Sequence, residues 1–88
     1  MSKPVYVLLR EVKGDPFHHG FAEFQGVYKT LKLAKSAAQE DFGWECNLPL
    51  SWTHKDGYGD YGGESRWDAK IKDGVLAVIE DYDVVTAL

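Results

Sequence analysis

The chain has 88 residues, 44% of them hydrophobic and 27% charged, and a formal net charge of −4. That length supports one core, and the composition excludes a disordered tail or a membrane protein. Residues 1–44 carry six Lys/Arg against five Asp/Glu and residues 45–88 four against nine, so there is no basic stripe to neutralise phosphates and no expectation of direct nucleic-acid binding.

The compartment is read from what is missing. Cys46 is the only cysteine, which rules out an intrachain disulfide. Met1-Ser2-Lys3-Pro4 runs into strand-like sequence without an apolar leader segment. The longest apolar runs, Val5 to Leu9 and Val75 to Ile79, are far shorter than the roughly 20 residues that span a bilayer. The expectation is a cytoplasmic protein with no membrane partner.

Val5 to Val12 is rich in β-branched and aromatic residues and apolar on both faces at its start, which predicts a central strand. Residues 13–20, with two glycines and a proline, predict a loop. A second strand is expected over Phe21 to Lys29, forming a hairpin with the first, with Ala22, Phe24, Gly26 and Tyr28 as its core face. Thr30 is placed to cap a helix over 31–42, with Gly43 as its stop. The helical wheel gathers Leu31, Leu33, Ala34, Ala37, Ala38 and Phe42 on one side, with Asp41 the one polar intruder.

Leu50 to His54 predicts a short third strand, with Leu50, Trp52 and His54 on one face. Residues 56–65 contain four glycines and read as a loop. Arg66 to Ile71 alternates strictly, placing Trp67, Ala69 and Ile71 inward, and Asp73-Gly74 signals a tight turn into a last strand from Val75 to Tyr82 or beyond. The expected fold is therefore α+β, a single domain over 1–88, ordered β-β-α-β-β-β, with a mainly antiparallel sheet and one helix packed on one face.

Candidate chemistry is sparse. His18, His19, His54 and Cys46 are metal-capable, yet no Cys-x-x-Cys or His-x-x-x-His spacing joins them; a solvated His18-His19 tip and a small buried Cys46 account for them as well. Cys46 with His54 is a conceivable nucleophilic pair supported only by residue identity. The glycine loop lacks a following Lys-Ser/Thr, and Asp56, Asp60 and Glu64 would repel phosphate. No catalytic, metal or cofactor site is assigned, and the reading is non-enzymatic.

The same loop suits protein recognition, because Tyr58 and Tyr61 offer large contact area at low rotamer cost while glycines let the backbone adapt. The bland reading is a flexible connection. Trp44, after Gly43, either covers the end of the core or projects as an anchor. Of the acids of the last hairpin and the loop before it, among them Asp56, Asp60, Glu64, Glu80, Asp81 and Asp83, several are expected to share one side and to steer basic partners. Solvation of a strand edge is the plainer account.

Val5-Tyr6-Val7-Leu8, Gly26-Val27-Tyr28-Lys29-Thr30, Ala34-Lys35-Ser36-Ala37-Ala38 and Leu50-Ser51-Trp52 together resemble short bacteriophage and prophage accessory proteins. The loop 56–65 departs from their usual form. The resemblance implies a phage setting and the host cytoplasm, where small acidic proteins bind and inhibit a host protein. The functional expectation is stoichiometric binding to a host protein with a basic surface, through Trp44, Asp56, Tyr58, Asp60, Tyr61, Glu64, Glu80, Asp81 and Asp83. The alternatives are a nucleic-acid mimic that blocks a DNA- or RNA-binding protein, and a small-ligand module. An exposed edge strand leaves room for a homodimer.

Overall fold

A computed structural model describes residues 2–14, 19–46, 49–57 and 65–85, with side chains over 4–14, 19–44, 49–57 and 65–82. The elements are β1 (Ser2–Val12), β2 (Phe21–Tyr28), α1 (Leu31–Cys46), β3 (Thr53–Asp56), β4 (Ser65–Lys72) and β5 (Val75–Val85). The strands make one antiparallel sheet in the order β2-β1-β5-β4-β3. This is the α+β arrangement expected from the order of elements.

Alternation decides which side chains meet the helix. Leu8 of β1, Ala69 and Ile71 of β4, and Val75, Ala77 and Ile79 of β5 are buried with Ala34, Ala38 and Phe42 of α1. Alanines at 34 and 38, both fully buried, let the helix backbone lie close to the sheet. Thr30 caps α1, its hydroxyl accepting from the Leu33 N–H at 3.1 Å and its carbonyl from the Ala34 N–H at 3.1 Å. Asp41 is exposed on the outer side.

Gly43 does not stop the helix, which continues through Trp44 to Cys46. A Cβ at position 43 would collide with the Gln39 side-chain amide. The Gln39 Oε1 in turn accepts from the Leu50 N–H at 2.8 Å, so glycine here makes room for a side chain that ties the segment after the helix back onto it. Leu33 departs from the wheel in the other direction and lies 52% exposed.

The core face expected for β2 fails at Phe24, which is 64% exposed. Leu8 lies opposite Gly26 and Leu9 opposite Phe24, leaving Gln25 as a bulge. One extra residue reverses the alternation. Gly26 and Tyr28 keep the phase of the helix side, whereas Phe24 joins Val27 on the helix-free side, opposite Leu9 and Val7.

The third strand starts later than its sequence suggests, at Thr53, after buried Leu50 and half-buried Trp52. The turn at Asp73-Gly74 is as expected: Gly74 has φ 78°, and its carbonyl accepts from the Lys13 N–H at 2.8 Å. Lys70 and Asp73 form an exposed pair at 2.9 Å. Hydrogen bonding from Lys70, and then its charge, hold the Asp73 carboxyl below its ordinary range. The last strand is not at an edge. β5 lies between β1 and β4, paired with β1 from Ser2 opposite Val85 to Val12 opposite Val75.

Candidate functional site

The described acids of β3, β4 and β5 divide between the two faces of the sheet. Asp56 and Asp81 alternate in phase with the helix-side residues, while Asp68 and Glu80 lie on the helix-free side. Strand parity alone separates them.

On the helix-free face the charges are satisfied internally. Arg66 of β4 reaches across β5 to Glu11 of β1, its Nη1 at 3.2 Å and its Nη2 at 3.2 and 3.4 Å from the carboxylate oxygens. Its Nε donates to Asp68 at 3.3 Å, and its Nη1 lies 3.9 Å from Glu80. Arg66 sits level with Glu80 and Glu11 level with Leu76, so the clamp crosses Val78, which is fully buried although the described helix packs on the other side. Glu80, expected on a solvated acidic edge as a partner contact, is fully buried instead. Its neighbours Arg66 and Tyr82 explain why the burial is tolerated: a buried charge persists where it is paired and hydrogen-bonded. Asp68 also pairs with Lys55 at 3.7 Å.

The Tyr82 hydroxyl donates to Glu80 Oε1 at 3.2 Å. Burial, then the Glu80 charge, then that hydrogen bond push its pKa from 10.0 up to about 12. The folded form therefore keeps its proton where the unfolded chain has lost it, so this contribution is complete below pH 10 and disappears as pH rises towards 12. Ultraviolet titration should show one tyrosine ionising late, and Tyr82→Phe should remove that step and flatten the alkaline loss of stability. An unchanged late step in Tyr82→Phe would refute the assignment.

On the helix side, Asp56 and Asp81 meet at one residue. The Ser65 hydroxyl donates to Asp56 Oδ1 at 2.9 Å, and the Ser65 N–H donates to Asp81 Oδ1 at 2.6 Å. Asp56 closes β3 and Ser65 opens β4, so this corner stands where segment 57–64 leaves and rejoins the sheet. Among the described residues neither carboxylate has a cation within ion-pair distance. Alongside, His54 stacks on Trp67 at 4.6 Å between centroids with 8° between planes, and Tyr6 meets Trp67 edge-on at 5.9 Å. Tyr6 lies opposite Asp81 and His54 opposite Trp67. An aromatic stack thus borders two carboxylates.

Of the other expected contact residues, Trp44 is 73% exposed on the last turns of α1, with its indole N–H donating to the Asp41 carbonyl at 2.8 Å. The polar end of the ring is satisfied while most of the side chain is open to solvent. Asp83 lies in β5 opposite Pro4. Tyr58, Asp60, Tyr61 and Glu64, like His18, lie outside the described residues, as does the side chain of Cys46. His19 is exposed. Among the described residues no three His, Cys, Asp or Glu side chains group as a metal set.

The aromatic stack is a component that sequence reasoning missed, because Trp67 alternates in phase with Ala69 and Ile71 and so reads as plain core. A second feature it missed is an open groove of about 620 Å³ on the helix-free side, running over Val7, Leu9 and Glu11 beside Phe24 and Tyr82. No described helix is long and apolar enough to cross a membrane. Comparison with protein families, with curated proteins and with solved structures finds no match to this chain.

Proposed function

We propose that this protein is a non-enzymatic accessory protein of the phage type, which binds a host protein stoichiometrically and modulates it through a basic surface on that partner. The observation that carries the reading is the convergence of Asp56 and Asp81 on Ser65, without a described cation beside them, next to the stack of His54, Trp67 and Tyr6. Two carboxylates held by a neutral serine keep their charge available. An arginine or lysine brought to them gains a charge-assisted hydrogen bond and, over the aromatic stack, a cation–π contact of about 0.5–2 kcal/mol. Tyr58, Asp60, Tyr61 and Glu64 of the intervening segment extend the contact, and Trp44 supplies an apolar anchor on the helix.

The division of acids between the two faces favours this local corner over a nucleic-acid mimic, which needs one continuous acidic field. Affinity capture from host lysate followed by titration of the captured protein tests the reading. The double variant Asp56→Asn/Asp81→Asn keeps the acceptors for Ser65 and removes both charges, so it should melt like the wild type and bind at least about tenfold more weakly, a loss of roughly 1.4 kcal/mol. Replacing Tyr58, Asp60, Tyr61 and Glu64 together with alanine should abolish capture. Undiminished binding by the folded Asn variant would remove the corner from the interface.

A further inference from the structure

The two edges of the sheet are built differently. β3 is four residues long and exposed throughout, and His54, Lys55 and Asp56 make three of the four ionisable. Short, charged edges resist pairing with another strand. β2 has eight residues, of which Glu23 alone carries a charge at neutral pH. Phe24 and Val27 are 64% and 53% exposed, and the bulge at Gln25 sets both on the helix-free face. At a spacing of three they would otherwise point to opposite faces.

We propose that β2 pairs with β2 of a second copy of this chain, antiparallel about a two-fold axis, joining the two sheets into one. The matching of faces selects the register. With Phe24 opposite Val27 of the second copy, Gln25 falls opposite Gly26 and Glu23 opposite Tyr28. Helix-free side chains then meet helix-free ones, helix-side residues meet their own kind, and the two bulges flank the axis symmetrically. A two-fold contact repeats every pairing, so Phe24 and Val27 of both copies form one four-membered apolar patch. Charge does not oppose it: the two Glu23 positions lie five residues apart along the pair, about 17 Å at ~3.4 Å per residue, beyond the screening length of about 8 Å at physiological salt. β3 is the opposite edge, so each copy keeps its Asp56–Ser65–Asp81 corner at the far end of the joined sheet. The pairing does not depend on what that corner binds.

Sedimentation equilibrium of the full chain, from low micromolar to millimolar concentration, should give twice the monomer mass, and Phe24→Lys/Val27→Lys should give the monomer mass with its fold intact by circular dichroism. A wild type that stays monomeric throughout overturns the proposal, as does a folded variant that remains dimeric. Oxidative cross-linking provides a readout that does not need the charged variant to fold. In a Cys46→Ser background, Gln25→Cys should form a disulfide-linked dimer and Lys55→Cys, on the opposite edge, should not. Equal cross-linking at the two edges, or none at Gln25→Cys, also overturns it.

Discussion

Arg66→Ala is expected to lower the free energy of unfolding by about 3–5 kcal/mol, the cost of leaving buried charge without its partner. Three carboxylates, Glu11, Asp68 and Glu80, converge on this guanidinium, and Glu80 is fully buried beneath it. At about 4–8 °C per kcal/mol for a domain of this size, the melting temperature should fall by more than about 12 °C. Arg66→Lys should recover only part of the loss, because an ammonium cannot supply the fork that holds Glu11 through two nitrogens while a third reaches Asp68. Urea denaturation at neutral pH measures the difference. A loss below about 1 kcal/mol, the range of an exposed pair, would mean that water reaches this cluster in solution.

Phe42→Ala should cost about 3–5 kcal/mol, as large-to-small changes of buried aromatic residues do. The helix meets the sheet mainly through alanines, and among its described side chains Phe42 is the one that is both large and nearly fully buried. Removing the ring leaves a cavity that Ala34 and Ala38 cannot fill. Hydrogen exchange should localise the effect, with α1 amides exchanging at the rate of global opening or faster while β1 and β5 keep the slowest amides. Phe42→Leu, which retains most of the volume, should lose less than half as much. A Phe42→Ala variant that melts with the wild type would show that the helix is held elsewhere.

What the sequence discloses depends on how local each signal is. β4 and β5 are legible because strict alternation and Asp73-Gly74 are contained within a few residues. The Thr30 cap is legible for the same reason. The β2 face is misread because one bulged residue, Gln25, reverses the phase; Gly26 beside it is the one local hint of a bulge, and it does not say which residue is the extra one. Gly43 is misread because its reason for being small is Gln39, whose amide serves Leu50 eleven positions away. Glu80 is misread because its surroundings come from β4 and β1, and the Arg66–Glu11 contact joins residues 55 apart. Asp56 and Asp81 are both recognisable as acids near a loop. Their meeting at Ser65 depends on the strand order, which no local pattern encodes.

That strand order also governs how the molecule can be made. β1 and β5 form the middle of the sheet, and every residue from Ser2 to Val12 waits for a partner between Val75 and Val85. During synthesis β1, β2 and α1 can assemble early as a hairpin and a helix, but Leu8 has no Ile79 to lie beside until the final strand emerges. Closing so long a loop carries an entropic cost before any of its contacts form, the circumstance in which folding is slow. The edge of β1 that faces β5 therefore stays unpaired until Val75–Val85 is available, and the sheet is completed only when that strand docks between β1 and β4.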